Sequence, residues 1–129
     1  MDTARHGIIL NVERFDACVD FYRNVFNLPF IFEKAEGSFR LCCLEYGDCY
    51  LMIETEGIAN SGGKPISECP TKFRFNVPDL NSALLQLNKF GIDAEIVTAG
   101  WGSIINIFDP DGNRISIRDE LGFCQQTST

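Results

Sequence analysis

The feature that constrains this chain most is an internal repeat. Val12 matches Val77 at an offset of 65 residues (77 minus 12), and the asparagines that precede them match at the same offset. Further apolar positions and one glycine keep this spacing: Phe15 and Leu80, Val19 and Leu84, Tyr22 and Leu87, and Gly47 and Gly112. An offset that persists from the first predicted strand to the last predicted turn indicates two copies of one structural unit.

The first copy has the pattern of a β-α-β-β-β unit. Residues 6–12 predict a strand. Apolar residues from Phe15 to Phe26 then recur at helical spacing, and Pro29 ends this helix because proline disfavours helical geometry in the residue before it. Three more strands are predicted at 30–32, 39–46 and 49–54, with Gly47-Asp48 as a tight turn between the last two.

The second copy repeats this order. A strand is predicted at 72–77, followed by a helix with an apolar face of leucines that Gly91 closes, and by a strand at 94–98. Residues 100–117 then predict a β-hairpin, since two runs rich in Ile and Phe flank Asp109-Pro110-Asp111-Gly112-Asn113. In that turn proline presets φ, and Gly112 supplies a positive φ.

The expected fold is therefore α+β, with two β-α-β-β-β repeats that form a curved mixed sheet around a cleft and helices outside. We expect one domain over residues 1–129, with repeat 1 at about 5–56, a linker at 57–70 and repeat 2 at about 71–121. The linker is rich in small and turn-forming residues. The polar tail from residue 122 onward is expected to be frayed.

Composition excludes several classes of function. A formal net charge of -7 and the lack of a basic cluster argue against nucleic-acid binding. No apolar run approaches the roughly 20 residues of a membrane helix, and the first residues do not resemble a signal peptide, so a cytoplasmic protein is expected. Without such a signal, the cysteines are expected to be free thiols: Cys18, Cys42, Cys43, Cys49, Cys69 and Cys124.

Three stretches carry a resemblance to a known family: Ile9–Val12 with the helix that follows, Phe75–Asp79, and Trp101-Gly102 followed by the Asp-Pro-Asp-Gly-Asn turn. In this order the chain resembles the vicinal oxygen chelate superfamily, which includes glyoxalase I, extradiol dioxygenases, and fosfomycin- and bleomycin-resistance proteins. Its pattern is most similar to the bleomycin-resistance-like branch. The resemblance covers residues 6 to about 120.

Metal-dependent members of that superfamily place His, Glu or Gln ligands on the first and last strand of each unit. The corresponding positions here are Gly7, Lys72, Ser116, and Leu51 or Met52. Glycine offers no side chain and an ammonium group repels a cation, so we expect no metal and no other cofactor. The alternative is a displaced site that uses His6, the single histidine, and Glu54.

Strand alternation predicts which residues face the cleft. Lys72 and Arg74 share one face of their strand, and Arg114, Ser116 and Arg118 share one face of the last strand. These cations could hold an anionic group, could point into water, or could pair with Glu54 or Asp119. Trp101, between two glycines, offers either a stacking surface or a cap for the core. The candidate ligand-binding residues are Trp101, Lys72, Arg74, Ser116, Arg118 and Glu54.

These features predict binding or sequestration of a small organic molecule without a metal. No nucleophile motif or phosphate-binding loop is present, so no catalytic residue is assigned. The alternative is a metal-dependent lyase, isomerase or dioxygenase of the same superfamily, and a third possibility is a cleft that the protein's own side chains fill. The resemblance also implies a homodimer.

Overall fold

Eight strands and three helices follow one another along residues 1–128, the part of the chain that this computed structural model describes. In chain order they are β1 (Gly7–Asn11), α1 (Phe15–Asn24), β2 (Phe30–Glu36), β3 (Phe39–Tyr46), β4 (Cys49–Glu54), β5 (Phe73–Val77), α2 (Leu80–Lys89), β6 (Ile96–Ala99), β7 (Gly102–Phe108), β8 (Arg114–Asp119) and α3 (Glu120–Thr127).

The chain divides into two units, each with its own sheet. The first unit comprises Met1–Gly62 and Pro110–Gly112, and the second comprises Gly63–Asp109 and the residues from Asn113 onward. The strand order is β1-β4-β3-β2 in the first and β5-β8-β7-β6 in the second. In both, the first and last strands of the repeat pair in parallel, and the other pairs are antiparallel. The α+β class and the two β-α-β-β-β repeats are confirmed, while the cleft stays a prediction.

Each unit buries one helix face against one face of its sheet. In α1 the buried residues recur at helical spacing: Phe15, Cys18, Val19 and Tyr22. They lie against β3 and β4, where Leu51 and Ile53 are fully buried. In the second unit Leu80 and Leu87 of α2 are buried, as are the alternate residues Ile105, Ile107, Ile115 and Ile117 of the two strands that α2 contacts. Burying each such side chain contributes about 1.5–3 kcal/mol.

Helix α1 begins with no capping side chain of its own. Arg14 occupies the N-cap position, where Ser, Thr, Asp or Asn is preferred. The carboxylate of Asp111 takes over this role: Oδ2 accepts from the Glu13 amide (2.7 Å) and Oδ1 from the Arg14 amide (2.9 Å). Cys18 Sγ also donates to Oδ1 at 3.7 Å. Asp111 is fully buried, so a buried charge lies at the positive end of the helix dipole.

Helix α2 is capped locally instead. Asp79, the N-cap residue, accepts from Ser82 Oγ (2.8 Å) and from the Asn81 amide (3.0 Å). These two hydrogen bonds, the Ser82 hydroxyl first, hold the pKa of the Asp79 carboxyl below its ordinary value. Asp79 and Arg14 occupy equivalent positions of the two repeats, 65 residues apart (79 minus 14). The amides at the start of the helix are therefore bound by the N-cap side chain in the second repeat and by a residue distant in sequence in the first.

Two expectations from the sequence are wrong. The offset is not constant, because Ile8 pairs with Leu51 whereas Phe73 pairs with Ile115, so the last strands correspond at an offset of 64 (115 minus 51). The tail is not frayed at residue 122, because α3 extends through Thr127. The Asp119 carboxylate caps α3 by accepting from the Gly122 amide at 2.8 Å.

The other element boundaries differ from expectation by small shifts. Helix α1 ends two residues before Phe26, and β2 continues four residues beyond Phe32 to Glu36. Strands β3 and β4 have the predicted bounds, and Gly91 has the expected positive φ of 75° after α2. No helix of residues 1–128 has the length and apolar character needed to cross a membrane.

All six cysteines are free thiols. Cys42 and Cys43 are buried in β3, and burial raises the pKa of each thiol. A raised pKa lowers the thiolate fraction, so these two cysteines act as small core residues and not as nucleophiles.

Candidate functional site

A cavity of about 300 Å³ lies in the second unit, where β7 ends and β8 begins. We call it the basic pocket. The segment 64–66 lines it from outside the sheet, and strand residues line the rest. The complete lining is Lys64, Pro65, Ile66, Lys72, Asn106, Ile107, Phe108, Arg114 and Ile115.

Three of the lining residues carry positive charge, and none carries negative charge. Lys64 Nζ donates to Asn113 Oδ1 (2.8 Å), and Arg114 Nη1 donates to the Cys69 carbonyl (3.1 Å), so both cations are held in place. Burial lowers the pKa of Lys72, and the nearby charges of Arg114 and Arg74 lower it further. Because those neighbouring charges are positive, an anion in the pocket would relieve their repulsion.

An aromatic side chain supplies an apolar wall of the basic pocket. The ring of Phe108 lies against Gly63, where a Cβ atom would come within 2.6–2.9 Å of three ring carbons. Gly63 also has a φ of 87°, in the left-handed region that favours glycine. The glycine thus lets the segment that carries Lys64 approach the end of β7, and the pocket combines apolar surface with a few polar groups, as ligand sites do.

The structure separates the cations that the sequence places together. Lys72 and Arg114 both line the basic pocket. Arg74 lies further along β5, in register with Ser116, which in turn pairs with Asn106 of β7. Ser116 is fully buried, and its Oγ has no hydrogen-bond partner within residues 1–128.

Arg118 and Trp101 lie at the other end of β8. Arg118 Nη2 donates to the Trp101 carbonyl (2.8 Å), and the guanidinium carbon is 4.8 Å from the centre of the indole ring. Trp101 remains 44 % exposed. The Asp119 oxygens accept from the Ser103 and Gly122 amides. These bonds, that of Ser103 first, hold the pKa of Asp119 below its ordinary value.

Glu54 and His6 belong to the first unit and cannot ligate one metal ion. Glu54 is in register with Asn11 on the neighbouring parallel strand, five residues beyond His6. At about 3.3 Å per residue, the two side chains start about 17 Å apart along the strands. The His6 ring instead contacts Thr3 Oγ1 at 3.2 Å. The strand register therefore does not bring these two side chains together.

The positions at which the superfamily places metal ligands also do not fit a divalent ion. The strand registers identify Met52, not Leu51, as the counterpart of Ser116 (116 minus 64). A thioether, a buried hydroxyl and the Lys72 ammonium are poor ligands for a hard divalent cation. Among residues 1–128, no group of three or more His, Cys, Asp or Glu side chains is arranged to hold a metal.

The fourth of these positions, Gly7, is filled by an aromatic ring. A Cβ atom on Gly7 would overlap ring atoms of Tyr50, its partner on β4. We expect Gly7→Ala to lower the free energy of unfolding by about 1–3 kcal/mol, because the ring must leave its place. In a Tyr50→Ala background the same substitution should cost much less, and a double-mutant cycle by urea denaturation measures this coupling. Equal costs in the two backgrounds would contradict the contact.

A second cavity, of about 250 Å³, lies in the first unit and is lined by Phe15, Glu33, Lys34, Ala35, Arg40 and Leu41. Its arginine is already engaged: Arg40 Nη2 lies 3.0 Å from Asp16 Oδ1, and its guanidinium lies over the Phe15 ring at 4.4 Å. The hydrogen bond to Asp16 raises the pKa of Arg40. This cavity is therefore less suited to binding an anion than the basic pocket is.

Sequence reasoning missed Lys64, Asn106 and Phe108 as pocket residues. Lys64 follows Ser61-Gly62-Gly63 in the predicted linker, a run that lacks the strand-to-helix context of a phosphate-binding loop. The usable signal was the pair of glycines, which allows close approach of the backbone to another group. Of the two, Gly63 is the one that approaches the ring of Phe108.

The fold and this geometry can be compared with known proteins. The family model described as "Glyoxalase/Bleomycin resistance protein/Dioxygenase superfamily" matches residues 5–117. No curated protein matches the chain. Similar solved structures include lactoylglutathione lyase from Agrobacterium tumefaciens, with 21 % identity, a TM-score of 0.67, and coverage of 92 % of this chain and 95 % of that one.

Two further structures are similar at lower identity. Glyoxalase I from Leishmania major is 15 % identical with a TM-score of 0.72, covering 98 % of this chain and 94 % of that one. The fosfomycin resistance protein FosX from Listeria monocytogenes is 12 % identical with a TM-score of 0.73, covering 92 % and 93 %. At these identities the likeness shows the fold alone. Since the family model spans most of the sequence, the chain belongs to the glyoxalase/bleomycin resistance protein/dioxygenase superfamily.

Proposed function

We propose that this protein binds a small organic anion in the basic pocket and thereby sequesters or carries it, without a metal. One observation carries this proposal: three cationic side chains, Lys64, Lys72 and Arg114, and no anionic one line a single cavity. The chain as a whole has a net charge of -7, so this concentration of positive charge is local. A carboxylate is the favoured anionic group, since arginine can bind it with two parallel hydrogen bonds.

Each cation has a distinct role in the proposal. Arg114 and Lys64 are positioned by hydrogen bonds to neighbouring groups, so they lose little freedom when an anion binds. Lys72 and Arg74 supply further positive charge on the same face of β5, and Phe108 contacts the apolar part of the ligand. Sequestration is the activity that the resemblance to bleomycin-resistance-like proteins implies. The homodimer remains a prediction.

Replacing Lys72 with methionine tests the pocket. Lys72→Met keeps most of the side-chain volume but removes the charge, and we expect it to weaken benzoate binding about 10- to 100-fold. Isothermal titration calorimetry with benzoate, and with the neutral benzamide for comparison, measures this loss. Lys89→Met, which removes an equal charge from the last turn of α2, is the control. Equal affinity for benzoate and benzamide, or equal losses in the two variants, would refute the proposal.

The lowered pKa of Lys72 makes both binding and stability depend on pH. We expect benzoate affinity to fall as the pH rises through this lowered pKa, earlier than an ordinary lysine would titrate. Between the folded and unfolded pKa values the unfolded chain binds more protons, so wild-type stability should rise with pH there. Urea denaturation at a series of pH values checks this. The rise in stability with pH should be absent in Lys72→Met. A fall in the stability of the wild type over this range would contradict a lowered pKa of Lys72.

A further inference from the structure

The basic pocket holds more positive charge than one carboxylate neutralises. Lys64, Lys72 and Arg114 line it, and within residues 1–128 no carboxylate lies at ion-pair distance from any of them. Burial lowers the pKa of Lys72, and the two charged groups that lower it further, Arg114 and Arg74, are both cationic. A bound monocarboxylate would therefore leave two of the three lining cations without a negative partner, and like charges close together repel.

Two of the three cations lie side by side on neighbouring strands. Phe73 is in register with Ile115 on the parallel strand β8, so Lys72 and Arg114, each one residue earlier, start about 4.8 Å apart. Arg114 Nη1 donates to the Cys69 carbonyl at 3.1 Å, and most of the donors of the guanidinium are left for a ligand. This pair of cations can therefore bind one carboxylate group.

Lys64 is anchored in a different place from Arg114. Its Nζ donates to Asn113 Oδ1 at 2.8 Å. Asn113 is itself fixed and buried, since its backbone amide and its Nδ2 donate to the two carboxylate oxygens of Asp109 at 2.9 Å each. The Asn113 oxygen is neutral, so Lys64 keeps an uncompensated charge and two further N–H donors. It offers a second point of attachment for an anion, separate from the pair on the strands.

Apolar surface and a small volume accompany these charges. Phe108 of β7 is in register with Arg114, and the residue remains 50 % exposed. Pro65 and Ile66, which directly follow Lys64, also line the pocket. Its volume of about 300 Å³ lies at the lower end of the range for ligand sites, which is about 300–1,000 Å³. The pocket therefore suits a ligand with a single ring or a short apolar framework.

We propose that the ligand of the basic pocket is a small dicarboxylate with an apolar framework, bound at one carboxylate by Lys72 and Arg114 and at the other by Lys64. This inference rests on the anion binding proposed above and adds a second anionic group to the ligand. Two separate carboxylates match cations that have two separate anchors. A compact dianion such as a phosphate monoester would need all three cations to converge on one group, against the hydrogen bonds that hold Lys64 and Arg114.

Isothermal titration calorimetry at constant ionic strength tests the second carboxylate. The probes are isophthalate and 3-carbamoylbenzoate, which have nearly the same size and differ by one carboxylate. We expect isophthalate to bind at least about tenfold more tightly, and more tightly than phenyl phosphate. Lys64→Gln removes the charge but keeps a donor for Asn113, and it should weaken isophthalate about tenfold and 3-carbamoylbenzoate much less. Lys89→Gln, in the last turn of α2, is the matched control and should bind both probes as the wild type does.

The outcomes distinguish this inference from the proposed function. If isophthalate binds no more tightly than 3-carbamoylbenzoate while benzoate still binds more tightly than benzamide, the dicarboxylate is wrong and anion binding stands. If benzoate and benzamide also bind equally, both fail. Tighter binding of phenyl phosphate than of isophthalate would identify a site for a compact dianion and overturn the inference. Equal losses for the two probes in Lys64→Gln would do so as well. If that variant does not fold, the three wild-type affinities decide.

Discussion

Replacing Asp111 with alanine is expected to lower the free energy of unfolding by about 3–4 kcal/mol. The carboxylate accepts from the amides of Glu13 and Arg14 and from the Cys18 thiol, and the residue is fully buried. After the substitution, the amides of Glu13 and Arg14 at the start of α1 lose their acceptor, and the buried space that the carboxylate occupied is left empty. The helix also loses the negative charge at its positive end.

Urea denaturation followed by far-ultraviolet circular dichroism measures this effect. With an m-value of about 1.5–2 kcal/mol/M, the midpoint should fall by about 2 M. Asp111→Asn should give a smaller loss, because the amide oxygen can still accept from one of the two backbone amides. The control is Asp48→Ala in the turn between β3 and β4, where the aspartate is exposed. A midpoint for Asp111→Ala as high as that of Asp48→Ala would show that the capping bonds contribute nothing.

The second large effect is expected for Gly57→Ala. A Cβ atom at Gly57 would overlap the carbonyl oxygen and carbon of Asn11 and would lie 2.6 Å from the Val12 nitrogen. All three are backbone atoms, so no side-chain rotation relieves the overlap. The Gly57 amide also donates to the Val12 carbonyl at 3.1 Å, which holds the two segments together. We expect a loss of about 3 kcal/mol or more, since the end of β1 must move.

Gly62→Ala is the matched control for this substitution. It lies in the same segment, and its Cβ atom would meet one neighbour at an ordinary distance, Asn60 Oδ1 at 3.5 Å. Its cost should stay within about 0.5 kcal/mol. Thermal and urea denaturation of the two variants compare a position where a Cβ atom overlaps the backbone with a position where it has room. Similar stabilities would mean that the strand end adjusts freely around residue 57.

The element order could be predicted from the sequence because both repeats have strong local signals. Alternating apolar residues, helical spacing in α1 and Gly47-Asp48 identify β3, β4 and their turn with the observed bounds. The turn at 109–113 was also predicted, through Pro110 and Gly112. The role of Asp111 was not, because its partners lie 97 and 98 residues away in sequence, and no local pattern reports such a contact.

The sequence predicts which candidate residues share a face of a strand, but not where along the strand a cavity lies. Alternation puts Arg114, Ser116 and Arg118 on one side of β8, yet it cannot tell which of them shares a cavity with Lys72. The register and the segment 64–66 decide that, and they assign Arg114 to the basic pocket. The helix α3 was missed because its residues show no apolar face: Gly122 alone is buried, and the bonds that hold it involve Asn76 and Arg118, outside the helix.

The discontinuity of the first unit has a consequence for the order of folding during synthesis. Residues up to Gly62 are synthesised earlier, but Pro110–Gly112, which completes that unit, follows only after β5, α2, β6 and β7 have been made. Helix α1 therefore lacks the hydrogen bonds to Asp111 until most of the second repeat has been synthesised. Long-range contacts of this kind raise contact order and slow folding. Strand β1 lies at the edge of its sheet with Ile8 and Ile9 exposed, so during this delay it is a segment open to aggregation and to chaperones.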